Sequence, residues 1–354
     1  MKNENQNQTP PLFRKKRMPS RTSDEFVKGV LQQNRTMLAQ TITLIESGSP
    51  ADVLLAQDVL RQLLPYTGKS IRIGVTGPPG AGKSTLIETL GTYLCGCGFK
   101  IAALSIDPSS PRAKGSILGD KTRMEKLARH PQAFIRPSPS KGALGGVARK
   151  TREAMLVCEA AGYDVIIVET VGVGQSETAV RAMVDFFLLL QMIDAGDELQ
   201  GIKKGVIELA DAILIHKADG KNRQAARQLQ VAFNQWLHLI QPATTGWQTK
   251  AYTGSSLCNE GIRELWDVIR DFKRETLRTG TFERRRADQA IDWMQTTIKE
   301  ELQARFYANR KVQEAWPAIE AAVGSGSLPV RQAVSELLDL FLSSHRDKRD
   351  VEEK

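Results

Sequence analysis

Gly77-Pro78-Pro79-Gly80-Ala81-Gly82-Lys83-Ser84-Thr85 fills every position of the G-x-x-x-x-G-K-[ST] phosphate-binding loop. The run before it, Ile71-Arg72-Ile73-Gly74-Val75, alternates like a buried strand, and Ser84 to Leu94 reads as a helix. Strand, glycine loop and helix is the context this motif requires. Glycines let backbone N–H groups curl around phosphate oxygens and aim the helix N-terminus at their charge. A bound nucleoside triphosphate is therefore expected, with Lys83 reaching the outer phosphates and Ser84 a magnesium ion.

Outward from the loop, short apolar runs at Ile101 to Ile106, Val165 to Val168, Phe186 to Leu190 and Ala212 to Ile215 alternate with helical patterns. That alternation predicts an α/β fold, a P-loop NTPase domain built on a parallel-rich, helix-covered sheet over residues 67–275. Ahead of it, residues 1–22 are rich in Asn and Gln with a basic cluster, Arg14 to Arg17, and are expected to form a disordered arm. Residues 23–66 read as a helical hairpin, one helix running from Ser23 to Ile45 and a second, after Gly48-Ser49-Pro50, ending near Leu64. Behind the sheet, residues 276–354 are helical. Ile291, Met294, Ile298 and Leu302 share one stripe of a helix expected to run from Thr281 to Trp316 and to break at Pro317. Such a stripe must be buried against its own domain or against another subunit.

The chain has 354 residues, 41% of them hydrophobic, enough for one substantial core with helical appendages. Its four cysteines match neither a zinc site nor a disulfide framework, which fits a reducing cytoplasm. No apolar run approaches the roughly 20 residues that span a bilayer, and no signal peptide is legible, so no membrane association is expected. The net charge of +9 comes without aromatic-basic interleaving and reads as solvated surface, not as a nucleic-acid footprint.

Two further constellations narrow the nucleotide chemistry. Asp164 to Val168, Glu169 and then Gly172 form an apolar strand ending in a carboxylate and followed by glycine, the shape of a Walker B and switch segment. Glu169 would help hold the magnesium shell and the Gly172 N–H would sense the γ-phosphate. Asp107, at the end of another expected strand, and Asp120 are further candidates for that shell, because nucleotide-bound Mg²⁺ keeps waters and few protein ligands. The other constellation is His216-Lys217-Ala218-Asp219 after Ala212 to Ile215, a variant of the Asn-Lys-x-Asp sequence that reads guanine. Asp219 would accept from the N1–H and N2–H₂ of the base, where adenine offers no donors. His216 replaces the Asn that ties the base loop to the phosphate loop, and an imidazole can supply part of that tie. Ser255-Ser256-Leu257 stands where such proteins contact guanine O6 through backbone amides.

Longer motifs carry a family resemblance. Asp107-Pro108-Ser109-Ser110, Gly119 to Met124, Ile135 to Pro139, Leu144-Gly145-Gly146, Val168 to Glu177 and Ala195 to Gly205 together resemble the MeaB/ArgK family of GTPases, over roughly Asp24 to Phe272. The resemblance implies a GTP-binding and GTP-hydrolysing chaperone that gates cofactor loading and protects or reactivates an adenosylcobalamin-dependent acyl-CoA mutase, of the methylmalonyl-CoA mutase type. It implies GTP, GDP and Mg²⁺ as ligands, a homodimer joined through C-terminal helical arms, and Asp194 to Gly205 as a mobile switch that meets the mutase. Asp107, Asp120 and Glu169 match the family's acidic switch positions. Leu190 to Asp194 departs from the more proline-rich form expected before that switch.

Hydrolysis needs a positioned water, Mg²⁺ and charge neutralisation, and a Ras-like GTPase places a Gln directly after its D-x-x-G. Val173 stands there instead, so slow intrinsic turnover modulated by a partner is expected, with Asp107 and Gln175 as candidates to orient the water. An ATP-dependent kinase and a GTPase that inserts a metal into another enzyme are the alternatives that the phosphate loop permits. A scaffold with a degenerate nucleotide site is a third.

Overall fold

The computed structural model describes residues 21–107, 124–139, 144–170, 176–193 and 204–352. Three helices come first: α1 (Ser23–Leu31), α2 (Arg35–Glu46) and α3 (Pro50–Leu63). The first helix of the expected hairpin is thus two. Gln33 takes a left-handed φ of 60° and Asn34 caps α2 by accepting from the N–H groups of Thr36 and Met37. A polar Gln-Gln-Asn run with an N-cap at its end stops a helix that apolar periodicity alone would continue.

The core follows as β1 (Ile71–Thr76), α4 (Lys83–Gly96), β2 (Ile101–Asp107), α5 (Glu125–Arg129), β3 (Ala133–Pro139), α6 (Leu144–Ala160), β4 (Val165–Thr170), α7 (Ser176–Arg181), β5 (Phe186–Gln191), α8 (Lys204–Ile207), β6 (Ala212–Ile215), α9 (Arg223–Leu237), β7 (Lys250–Thr253) and α10 (Ile262–Arg278). The seven strands form one parallel sheet in the order β3-β2-β4-β1-β5-β6-β7. Helices cover both faces, which is why β5 reads Phe-Phe-Leu-Leu-Leu-Gln with every residue buried. On one face Ile73, Ile167 and Leu188 pack with Leu86 and Leu90 of α4 and Ile269 of α10. On the other, Leu104, Ile166 and Val168 pack with Met155 of α6 and with Val30, Ile42 and Val59 of α1, α2 and α3. Sequence periodicity did not reveal β3, whose Pro137 and Pro139 argue against a strand. It lies at the sheet edge, where a missing N–H is tolerated.

Beyond the sheet come α11 (Thr281–Ala308), α12 (Arg310–Gly324) and α13 (Val330–Glu352). The break falls at Asn309, whose side chain caps α12, and Pro317 sits inside α12. The expected boundary between residues 275 and 276 lies within α10, and the start of α11 is bolted to the sheet. Arg286 donates to both carboxylate oxygens of Asp185 at 2.8 and 2.6 Å, and Arg285 donates to the Asp185 carbonyl. Further along, Ile291, Met294, Ile298 and Leu302 are each at least half exposed on one stripe of α11. Among the described residues, no helix is long and apolar enough to cross a membrane.

Candidate nucleotide site

Strand order reverses at β1, which pairs β4 on one side and β5 on the other. In open parallel sheets ligands bind outside the carboxyl ends of the strands at such a point. A cleft of about 680 Å³ opens there, lined by the phosphate loop from Pro79 to Thr85 without Ala81, and by Ser105, Ile106, Glu169, Thr170 and Lys217.

The loop has the conformation its sequence requires. Gly77 and Gly82 hold φ values of 150° and 88°. A Cβ on Gly77 would lie 2.6 Å from the Leu190 carbonyl, and one on Gly82 would lie 2.7 Å from His216 Nδ1. Only glycine fits either place. Gly82 is also the N-cap of α4 and offers no side-chain bond to that helix's first N–H groups, which leaves them aimed at the cleft as an anion site. Lys83 is buried, and its ammonium donates to the carbonyls of Gly77 at 2.8 Å and Pro78 at 3.2 Å. Burial pushes its pKa below the usual lysine range, opposed by the negative charges of Glu169 and Glu177.

Register places Glu169 beside Val75 on one side and Ser105 on the other, so the strand-end carboxylate reaches the phosphate loop. Ser84 Oγ donates to Glu169 Oε1 at 2.8 Å. A hydroxyl and a carboxylate meeting at the mouth of a phosphate loop are the hard oxygen donors that Mg²⁺ takes beside phosphate and water. Asp107 ends β2 on the same side of the sheet. Asp120, Gly172 and Gln175 lie outside the described residues.

The residues expected to read the base stand beside this cleft, Lys217 in its lining. His216 is 2% exposed, its Nδ1 2.7 Å from the Ala81 carbonyl and its Nε2 2.7 Å from Ser256 Oγ. The imidazole thus spans the phosphate loop and the loop of Ser255, Ser256 and Leu257. Lys217 is exposed with a left-handed φ of 60°, a strained conformation for a residue with a Cβ. Ala218 is buried and its N–H donates to the Gly254 carbonyl. Asp219 Oδ2 accepts from Ser255 Oγ at 2.5 Å, so Asp219 and the following loop are oriented together. Leu257 is 83% exposed.

Three contributors escaped the reading of motifs. Ser105 lines the cleft, Thr170 Oγ1 donates to Thr76 Oγ1 at 2.9 Å beneath the phosphate loop, and Thr89 Oγ1 reaches the Ser256 carbonyl at 3.4 Å. Thr76 and Thr170 end adjacent strands and Ser105 lies two residues before the end of the next, and the rule that ligands sit at carboxyl strand ends would have found them.

Residues 38–311 match the family model described as methylmalonyl-CoA mutase-associated GTPase MeaB. The GTPase ArgK of Escherichia coli is 44% identical, over 92% of this chain and 98% of its own. A mitochondrial methylmalonic aciduria type A homolog of Mus musculus is 43% identical, over 91% of this chain and 80% of its own. The crystal structure of a protein called LAO/AO transport system kinase superposes with a TM-score of 0.72 at 38% identity, covering 90% of this chain and 97% of its own. With the phosphate loop, the Glu169 strand end and the Asp219 loop all at the carboxyl ends of one sheet's strands, this chain belongs to the MeaB family of P-loop GTPases.

Proposed function

We propose that this protein binds GTP and GDP with Mg²⁺ and acts as the chaperone of an adenosylcobalamin-dependent acyl-CoA mutase of the methylmalonyl-CoA mutase type, gating cofactor loading and protecting or reactivating the enzyme. The observation that carries this reading is the match to the mutase-associated family across residues 38–311. The site's chemistry supports it. Lys83 and the N–H groups from Gly80 to Thr85 hold the phosphates, and Ser84 with Glu169, completed by Asp107 and Asp120, holds Mg²⁺. Asp219 reads the base edge, and the Leu257 amide, on the loop of Ser255 and Ser256, faces O6. Gly172 senses the γ-phosphate, and Asp107 or Gln175 orients the attacking water. Asp194 to Gly205 meets the mutase. Two copies join through α11, where a second chain covers Ile291, Met294, Ile298 and Leu302.

The test is to mix the protein with a methylmalonyl-CoA mutase and follow phosphate release and adenosylcobalamin transfer under GTP, GDP and a non-hydrolysable analogue. Mutase-stimulated hydrolysis and nucleotide-dependent cofactor transfer are expected, the stimulation reaching ~10³-fold or more if the partner supplies an arginine to the phosphates. Unchanged hydrolysis together with nucleotide-independent transfer would overturn the reading. The structural neighbour bears the name of a kinase, which favours a second reading, phosphoryl transfer from ATP. That reading requires ATP preference and a phosphorylated acceptor in the same mixture.

A further inference from the structure

We propose that His216 is the positioning residue that fastens the phosphate loop and the Ser255 to Leu257 loop to one imidazole, and that a second proton on that ring loosens guanine-nucleotide binding. The proposal rests on the reading of this site as a guanine-nucleotide site. The hydrogen bonds fix which nitrogen carries the proton. The Ala81 carbonyl, 2.7 Å from Nδ1, can only accept, so Nδ1 donates. The Ser256 N–H, 3.3 Å from Nε2, can only donate, so Nε2 accepts, and it accepts from the Ser256 hydroxyl at 2.7 Å as well. The ring is therefore the neutral Nδ1–H tautomer.

An Asn at this position would offer a donor and an acceptor and have no proton to gain. A histidine titrates. Burial holds its pKa below the usual histidine value, the Ala81 carbonyl opposes that, Lys217 adds to it and Asp219 opposes it. Lys217 and Asp219 are the charged groups of its own loop. The phosphate loop brings Lys83, whose ammonium is turned to the Gly77 and Pro78 carbonyls. Among the described residues, β5 brings the Gln191 carbonyl, which accepts the His216 N–H, and Ser255 to Cys258 carry no charged side chain. When Nε2 gains a proton the Ser256 hydroxyl can turn to accept it, but the Ser256 N–H cannot. Two donors then face each other in a buried place, and the loop that also orients Asp219 through Ser255 loses its anchor.

Nucleotide binds the neutral form. Affinity is thus full above the ring's pKa in the nucleotide-free protein and falls as pH drops through it, by at most about tenfold per pH unit. The pKa is lowered from 6.5, so the loss lies below that pH. The experiment titrates a fluorescent GDP analogue into the full chain with Mg²⁺ from pH 7.5 to 5.5, for the wild type and His216→Asn. Titration of the nucleotide's phosphates is common to both, so the ratio of wild-type to variant Kd isolates the ring. A ratio that rises as the pH falls below 6.5 is expected, because only the wild-type ring gains a proton there. A constant ratio overturns the proposal while leaving the guanine site intact, whereas no binding by either protein at pH 7.5 overturns the guanine reading and the proposal with it. Long-range ¹⁵N NMR of the wild-type ring needs no variant: an unprotonated Nε2 at pH 7.5 is expected, and an Nε2–H tautomer overturns the proposal.

Discussion

At the amino-terminal end of the strands, Asp185 and Asp211 are 1% and 0% exposed, and each is filled with donors. Asp185 takes the Arg72 N–H and two bonds from Arg286, and Asp211 takes Arg181, the Phe187 N–H and the Thr244 hydroxyl. Glu159 joins them through Arg72 and the Ser70 hydroxyl. At the carboxyl-terminal end, Ser84, Glu169 and Asp219 stay partly exposed and Lys217 is exposed, around an open cleft. The same sheet thus carries a closed ionic lattice at one end and an incomplete polar site at the other. Buried charges demand complete partnering, so the lattice is built for the fold and for fixing α11. The unsaturated end is the one left for a ligand.

Breaking the open end should remove binding without unfolding. Lys83→Ala is expected to abolish triphosphate binding in calorimetry while the thermal midpoint stays within a few degrees of wild type, since the hydrogen bonds of its ammonium among the described residues go to loop carbonyls. Unchanged affinity would remove Lys83 from the site. Asp219→Asn is expected to shift preference from guanine toward xanthine, whose C2 carbonyl accepts where guanine's amino group donates. Sites that hydrogen-bond a base edge discriminate by up to about 10⁴, and an unaltered guanine preference would count against Asp219.

Breaking the closed end should do the reverse. Asp185→Ala leaves the Arg72 N–H unmatched and strips Arg286 of its closest carboxylate, leaving it the Gly68 and Ser70 carbonyls and Glu159, and is expected to cost about 3 kcal/mol of stability in denaturant unfolding. Nucleotide affinity of the folded fraction should not change. A smaller effect follows from Glu159. Burial raises its pKa, but the Arg72 hydrogen bonds and charge, with Arg286 and Ser70, outweigh burial and hold it below the usual glutamate value. A depressed carboxylate pKa gives stability that is present above the unfolded value, near 4.5, and is lost as pH falls through the folded one. Acid unfolding below about pH 4.5 should therefore be shallower in Glu159→Gln than in wild type. Identical acid profiles would show that this lattice carries no such term.

The two ends also differ in how far the sequence discloses them. The open end is legible because its residues are contiguous: a nine-residue phosphate loop, a strand ending in Glu169, and a His-Lys-Ala-Asp run after an apolar strand. Even the His216 tie could be anticipated from the Asn it replaces. The closed end is hidden, because Asp185 and Arg286 stand 101 residues apart and a lone Asp before a strand looks like any cap. Helix ends failed for a local reason: the caps at Asn34 and Asn309 outweigh the apolar periodicity that runs through them. The edge strand β3 was masked by its prolines.

The most direct test of the central claim is calorimetric titration of nucleotide-stripped protein, with Mg²⁺ present, against GDP, a non-hydrolysable GTP analogue and ADP. Binding of both guanine nucleotides with no heat from ADP is expected from Asp219 held by Ser255 and from the His216 tie. ADP binding as tight as GDP binding would contradict it.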